Sequence, residues 1–209
     1  AGQSDIALVG GAHNGERLDL LALYEFGKFN LKGRYAPVWE RGEDGGFALG
    51  SLGAFLVIEA RDHAEARGAK PLARLAAVLS DRSKRQPGTV MAGLARLWDK
   101  IKDKVKPASA ALLSGATGAA TVTAEEKAFL ADHSDLAVRA TGSYVGHGLD
   151  SQFPMNLALA AVALGRGSLF PPADSSGVER PMSGELKQVL VTSVGHWRGE
   201  ALALVERVG

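Results

Sequence analysis

A single histidine, His147, lies between two glycines in SYVGHGLDSQFPMNLALAAVALGRG, which covers Ser143–Gly167. The residues after it predict a helix with almost no polar face, and the histidine directly precedes this helix. The positive end of a helix dipole lowers the pKa of an imidazole and keeps it neutral, so that one N–H can donate to a developing negative charge. The alternative is a packed histidine bonded to a backbone carbonyl, and the local sequence alone favours that alternative.

The other histidines and the glycine-rich stretches indicate no further chemistry. We expect solvated surface roles for His13, His63 and His133, and five scattered histidines show no metal-ligand spacing, so no metal site is expected. GRG and GGAHNG lack the lysine and serine of a P-loop. The 209 residues contain no cysteine, which excludes disulfides, thiolate metal sites and a cysteine nucleophile within this chain.

Length and composition indicate a globular protein with one sizeable core or two small domains. Hydrophobic residues make up 46% of the chain and charged residues 22%. The net charge is +1, so no overall field directs the chain to nucleic acid or to a membrane surface. The sequence has no apolar run of about 18 residues and opens without the features of a signal peptide. We therefore expect a cytoplasmic protein.

Short apolar segments alternate with helical patterns, which predicts an α/β fold with a largely buried sheet. Asp5–Ala12 predicts a buried strand that stops at Gly-Gly, and Ser80–Gly88 a basic loop. An amphipathic helix follows and ends at Pro107, and Thr123 and Glu126 have the spacing of a capping box that starts the next helix. The other predicted elements are a helix within residues 16–29, strands within 45–60, 69–81, 108–115, 135–142, 186–195 and 200–208, and a helical turn over 62–69.

Several stretches resemble the β-ketoacyl-acyl-carrier-protein synthases, the thiolase-fold condensing enzymes. IALVGGAHN and DGGFALGSLGAFLVIEARDHAEARGAKPLARL are similar to a strand ending in GG and a DGF…GEGAG…LVLE…HAxxRGA run. GSYVGHGLDSQFPMNLALAAVALGRGSLFPP is similar to the K-S-x-x-GH stretch with its buried helix and proline-bearing turn, and VTSVGHWRGEALALV to the closing strand pair. The similarity covers nearly the whole chain in order, and EARDHAEARGAK is its most specific part.

The resemblance implies a thiolase-like layered αβαβα fold of two duplicated halves with helices between their sheets. Residues 1–60 would be the incomplete end of the N-terminal half, and 61–209 the C-terminal half. The family's cysteine nucleophile belongs to the part that precedes this chain, which agrees with the absence of cysteine. We therefore expect a missing N-terminal half or a partner synthase chain, in a homo- or heterodimer, and no cofactor.

The resemblance also implies roles for four residues. In the family, two histidines donate to the malonyl thioester oxygen as negative charge develops, and a lysine helps set the electrostatics. His147 matches the second histidine, whereas Ser114 stands in the place of the first and Gly142 in that of the lysine. His196 stands where a phenylalanine gates the pocket, so Ser114, Gly142 and His196 are expected in the substrate pocket. Loss of one such donor costs about 10²–10³ in rate.

The segment Ser80–Lys106 holds eight basic and three acidic residues, a net charge of +5. Acyl carrier proteins are strongly acidic, so a basic helix can steer one by long-range attraction. The alternative is an ordinary solvated helix face, which the sequence slightly favours. The candidate carrier-docking residues are Arg82, Lys84, Arg85, Lys100 and Lys104.

Three functions are compatible with these residues. The replacement of the family's histidine, lysine and phenylalanine at positions 114, 142 and 196 favours a degenerate or partner subunit, similar to a chain-length factor, in fatty-acid or polyketide synthesis. The alternative is part of a fully active 3-oxoacyl-carrier synthase whose cysteine lies on the missing segment. A binding module without acyl chemistry is the third. On any of them, we expect that this chain alone does not catalyse condensation.

Overall fold

The structure, a computed structural model, describes residues 4–208. Residues 1–3, at the start of the predicted first unit, and residue 209 lie outside the described part. The strands are β1 Ile6–His13, β2 Leu52–Glu59, β3 Arg74–Lys84, β4 Ala110–Ser114, β5 Ala137–Ala140, β6 Gln188–Val194 and β7 Arg198–Glu206. The helices are α1 Leu18–Phe26, α2 Arg61–Ala66, α3 Thr89–Asp99, α4 Ala120–Ala131, α5 Gly142–Val145 and α6 Gln152–Arg166, with short 3₁₀ turns at Val38–Glu40, Lys102–Lys104, Pro107–Ser109 and Leu149–Ser151.

A five-stranded mixed sheet forms the centre of the protein, in the order β3-β7-β6-β4-β5. Strand β4 runs parallel to β5 and β6, and β7 pairs antiparallel with both β6 and β3. All residues of β4 and β5 are buried, and apart from Ser114 and Arg139 they are apolar on both faces rather than alternating. The predicted α/β class is confirmed.

Helices cover both faces of this sheet. Along β4, Leu112 packs into the apolar cluster with α3 and α4, and Leu113 into the cluster with α6. Helix α6 also packs against a second, two-stranded antiparallel sheet of β1 and β2. The layers are therefore sheet, helix, sheet and helices, so that α6 lies between two sheets as the predicted thiolase-like fold requires. The division at residues 60 and 61 stays a prediction.

Strand β1 is not the buried strand that the sequence predicted. Most of its residues are exposed, because among residues 4–208 it pairs only with β2 and one face of the pair is uncovered. The strand also continues through the two glycines to His13, since Gly10 and Gly11 pair with Phe55 and Ala54.

The predicted boundaries around the basic segment were wrong. Strand β3 continues to Lys84, which pairs with Arg198 of β7, so most of the predicted basic loop is strand. Helix α3 ends at Asp99 rather than near Pro107, although Ile101 and Val105 beyond it are still buried.

The predicted capping box does not form. Helix α4 begins at Ala120, before Thr123, and its first turn has no side-chain cap. Thr123 Oγ1 instead accepts from the Gly118 N–H at 3.1 Å, while Glu126 turns into the core. Tertiary contacts with neighbouring strands thus replace the local interaction that the spacing predicted. Among residues 4–208, no helix is long and apolar enough to cross a membrane.

Candidate functional site

The topology brings the four predicted site residues to one edge of the sheet. Because β4 is parallel to β5 and β6, the carboxyl ends of these strands lie together. Ser114 is the last residue of β4, Gly142 follows β5 and His196 follows β6, while His147 comes after the short helix α5. This edge is where open α/β sheets commonly bind ligands.

The backbone of His147 is hydrogen-bonded on both sides to a single segment, residues 48–50. Its N–H donates to the Ala48 carbonyl at 2.7 Å, and its carbonyl accepts from the Gly50 N–H at 3.1 Å. Helix α6 begins at Gln152, so His147 lies five residues before it rather than at its first turn. The loop between them is held by the Gly148 N–H, which donates to Gln152 Oε1 at 2.8 Å.

A chain of buried hydrogen bonds connects this loop to the end of β4. Gln152 Nε2 donates to Thr141 Oγ1 at 2.7 Å, and Thr141 Oγ1 donates to Asn156 Oδ1 at 2.6 Å. Asn156 Nδ2 then donates to the Ser114 carbonyl at 3.2 Å. The few polar residues of α6 therefore set the position of His147 relative to Ser114, which the apolar pattern of the helix did not reveal.

The His147 ring is neutral, but burial rather than a helix dipole is the main cause. Burial, followed by the charges of His196, His13 and Arg41, lowers the pKa of His147 to about 3. Its Nδ1 is buried and has no hydrogen-bond partner among the described residues. The ring therefore has an uncommitted nitrogen, as an oxyanion donor requires.

His196 lies in the same aromatic cluster as His147. Their ring centroids are 5.0 and 5.1 Å from that of Phe47, and Phe29 and Trp197 also contact His196. Burial, followed by the charge of Arg85, lowers the pKa of His196 to about 4. The side chain lines a cavity of about 410 Å³, and its buried Nε2 has no partner within residues 4–208.

The hydroxyl of Ser114 is fully committed to neighbouring groups. It donates to Glu126 Oε1 at 2.8 Å and accepts from the Ala116 N–H at 2.9 Å. Thr192 Oγ1 donates to the same carboxyl oxygen at 2.6 Å, and burial raises the pKa of Glu126. The Ser114 hydroxyl therefore has no proton left to donate to a ligand. Sequence reasoning missed Glu126, because its spacing from Thr123 suggested a cap.

Gly142 begins α5 in a confined position. A Cβ there would lie 3.2 Å from both the Ala116 carbonyl oxygen and Val38 Cγ2. A longer side chain at this position would require those neighbours to move, so the surroundings are fitted to glycine.

The five docking candidates do not form one free basic patch. Arg85 is mostly buried, paired with Glu200, and donates to the Gly195 carbonyl at 2.9 Å and the Gly199 carbonyl at 3.0 Å. It therefore holds the turn that carries His196, and we exclude it from the carrier surface proposed below. The exposed candidates are Arg82, Lys84, Lys100 and Lys104.

The two pairs of exposed candidates lie on different elements. Asp81 pairs with Arg96 of α3 and Ser83 bonds Glu200, so both side chains face inward from β3. Arg82 and Lys84 alternate with them along the strand and point away from that face. Lys100 and Lys104, in contrast, follow α3.

The architecture of this chain is similar to that of several solved structures. No family model matches the chain. Its structure superposes on a type II polyketide synthase ketosynthase, in complex with its acyl-carrier protein and bound to the hexaketide, with a TM-score of 0.79 at 18% identity. The ishigamide ketosynthase/chain length factor gives a TM-score of 0.79 at 20% identity. The chain has the ketosynthase fold.

The match covers this chain completely but only part of each neighbour. It includes 57% of the type II ketosynthase chain and 55% of the ishigamide chain, and falls on their C-terminal half. A β-ketoacyl synthase from Burkholderia phymatum gives a TM-score of 0.73 at 17% identity, with 56% of that chain covered. The ketosynthase-fold chain thus spans about half the length of the structures it matches, and the predicted thiolase-like fold is confirmed.

Proposed function

We propose that this ketosynthase-fold chain is a non-condensing, chain-length-factor-like member of a polyketide or fatty-acid synthase. In this role it supports an active synthase and helps to shape the acyl pocket, rather than forming the carbon–carbon bond. The fold similarity supports a ketosynthase-type role, and the state of the site residues supports the partner role.

The observation that carries the proposal is the hydrogen bonding of Ser114. An active member needs an imidazole donor there, whereas this serine gives its proton to Glu126 and accepts from Ala116. Glycine at position 142 removes the family's lysine as well. One histidine, His147, is left to stabilise an enolate oxygen, and the loss of its companion alone predicts a rate lower by about 10²–10³.

The exposed face of the β1–β2 sheet supports a second polypeptide as partner. Leu8 and Val57 are cross-strand neighbours and are 71% and 63% exposed, and Phe55 adds another exposed apolar side chain. A contiguous apolar patch of this kind indicates an interaction surface. We assign it to the N-terminal half or to a partner synthase chain.

An acyl carrier protein is the second partner of the proposal. One of the structural neighbours is a ketosynthase in complex with its carrier. Lys100 and Lys104 are exposed and form none of the salt bridges among the described residues, although the charge of Lys100 also acts on Asp81. Both charges can attract an acidic partner. Charge reversal of both lysines should weaken carrier binding and reduce its salt dependence, whereas Lys70→Glu, an exposed control elsewhere, should not.

Malonyl decarboxylation separates the proposal from the active-enzyme alternative, because the resemblance implies that two histidines stabilise the negative charge that develops on the malonyl thioester oxygen in this step. The test incubates malonyl-carrier with the protein or with His147→Ala and follows the conversion to acetyl-carrier by mass spectrometry. We expect equal background rates for both. Binding of the carrier to the protein is measured in parallel, so that a low rate is not caused by a failure to bind.

The neutral imidazole of His147, whose Nδ1 has no hydrogen-bond partner within residues 4–208, is the observation that favours the active-enzyme alternative. Decarboxylation at least about tenfold faster with the original protein than with His147→Ala would overturn the partner-subunit proposal. So would condensation of acyl and malonyl groups by the protein without an added synthase.

A further inference from the structure

The turn between β6 and β7 exposes a tryptophan that other rings hold in place. Trp197 is 54% exposed. Its ring stacks on that of Tyr24 at a centroid distance of 6.3 Å, and the rings of Phe29 and His196 are 5.8 and 4.3 Å away. An exposed but rigid aromatic side chain loses little conformational freedom on binding, and tryptophan is enriched among the residues that dominate binding energies. Trp197 is therefore suited to anchor a partner.

Three basic side chains lie beside this turn. Lys84 of β3 is the direct cross-strand partner of Arg198, which follows Trp197, and Arg82 lies two positions before Lys84 along β3. All three are exposed, and none forms a salt bridge within residues 4–208. Like charges directly opposite each other on neighbouring strands are destabilising. An acidic group from outside the chain would therefore stabilise this pair.

The acidic residues of the same two strands already have partners. Asp81 of β3 pairs with Arg96, and Glu200 of β7 pairs with Arg85. Both carboxylates face α3, whereas the neighbouring basic side chains of β3 point away from that face. The positive charge beside the turn is thus not neutralised by the acidic residues of these strands.

This basic region lies at the same edge of the sheet as the candidate site. His196, directly before Trp197, lines the cavity of about 410 Å³ together with residues 86 and 87, which precede α3. Lys100 and Lys104 follow the other end of α3, and the 11 residues of this helix span about 16 Å. The cations beside the turn are therefore the ones near the cavity.

We propose that the surface around this turn docks an acidic polypeptide, with the tryptophan as its apolar anchor. The residues of this turn surface are Arg82, Lys84, Trp197 and Arg198. Glu43, on the wall of the neighbouring cavity, is an opposing charge. Within the function proposed above the acidic polypeptide is the carrier, so the inference rests on that function. Lys100 and Lys104 then speed association by long-range attraction, whereas the turn surface sets the dissociation rate.

Single-stranded nucleic acid is the other class of partner that binds exposed cations beside an aromatic ring. Three cations neutralise few phosphates, and the net charge of the chain is only +1, so the electrostatic affinity for nucleic acid is small. Tryptophan and arginine are also the side chains that most often anchor protein–protein interfaces. The observations therefore favour a polypeptide.

The binding kinetics of an acyl carrier protein without its prosthetic arm test the turn surface. Trp197→Ala should dissociate from the carrier at least about tenfold faster, with little change in the association rate. Charge reversal of Lys100 and Lys104 should instead slow association and leave the dissociation rate unchanged. Leu72→Ala, which truncates a 76% exposed leucine elsewhere, is the control and should change neither rate.

Charge variants test the surface without altering the packing of Trp197. Lys84→Glu combined with Arg198→Glu should weaken carrier binding about tenfold or more at low ionic strength. Arg61→Glu combined with Lys70→Glu makes the same change in net charge at exposed residues elsewhere and should weaken binding much less. Lys84→Gln should weaken binding without lowering the urea midpoint of unfolding, because it removes the like-charge pair.

Several results would overturn the proposal. One is a dissociation rate of Trp197→Ala equal to that of the original protein, and another is an equal loss of affinity in the two charge-reversal pairs. A third is tighter binding of a single-stranded oligothymidylate than of the carrier, weakened by the same variants. If the carrier does not bind at all, the carrier partnership fails together with the turn surface, whereas carrier binding that ignores the turn surface overturns that surface alone. The decarboxylation test decides the non-condensing role separately.

Discussion

At the scale of single residues, the site is defined by which polar atoms have a hydrogen-bond partner among the described residues and which do not. The Ser114 hydroxyl donates to Glu126 and accepts from the Ala116 N–H. The imidazoles of His147 and His196, in contrast, each have a buried nitrogen without a hydrogen-bond partner among the described residues. Both rings contact Phe47. A pair of neutral imidazoles in an apolar cluster is suited to donating hydrogen bonds to an anion but not to holding positive charge.

The first prediction concerns the protonation of these rings. With pKa values of about 3 for His147 and about 4 for His196, both should stay neutral between pH 5 and 8. We expect their Cε1–Hε1 resonances not to shift over this range, with assignments from His147→Gln and His196→Gln. In the urea-unfolded chain, the same resonances should titrate near pH 6.5.

The same pKa values predict how stability depends on pH. The unfolded chain binds protons below pH about 6.5 that the folded His147 does not bind, so stability is lost as the pH falls toward 3. Urea unfolding at several pH values should show a smaller acid loss in His147→Gln. A His147 resonance that titrates near pH 6.5 in the folded protein would contradict both expectations.

At the scale of elements, the turn between β6 and β7 depends on one distant side chain. Arg85, just after β3, contacts the carbonyls of Gly195 and Gly199 and pairs with the fully buried carboxylate of Glu200. This arrangement positions His196 and explains a basic residue that the sequence alone assigned to carrier docking. The charge pattern could not distinguish these roles, because the pairing joins residues more than 100 positions apart.

The second prediction tests this interaction. Arg85→Ala leaves Glu200 buried without its partner and should lower the free energy of unfolding by about 3–5 kcal/mol. The matched control, Arg96→Ala, breaks an exposed pair with Asp81 and should cost about 0–1 kcal/mol. Urea titrations measure both. Equal losses in the two variants would show that the buried pair contributes no more than the exposed one.

At the scale of the whole molecule, the two sheets differ in how well they are covered. The five-stranded sheet has helices on both faces, whereas the β1–β2 sheet packs on α6 with one face only. Its other face exposes Ile6, Leu8, Phe55 and Val57. An exposed two-stranded sheet with an apolar face is prone to association.

The third prediction is that the purified chain self-associates through this face. Leu8→Lys combined with Val57→Glu places opposite charges on cross-strand neighbours and should reduce association without lowering the melting temperature. Light scattering and thermal melting measure both properties. Leu72→Lys, which changes a 76% exposed leucine elsewhere, is the control and should have no effect. A stable monomer without substitution, or association that persists in the double variant, would contradict the prediction.

The amino-acid sequence by itself determined the order of strands and helices, the α/β class and the similarity to ketosynthases, because these follow from local hydrophobic periodicity and from motifs. It also indicated His147, through its place before the buried helix. Only the tertiary structure decided what Glu126 and Arg85 do. A buried polar group is defined by the partners that surround it, and these partners come from segments far apart in the chain. The capping spacing of Thr123 and Glu126 was therefore misleading, since contacts with Ser114 and Thr192 outweigh a local cap.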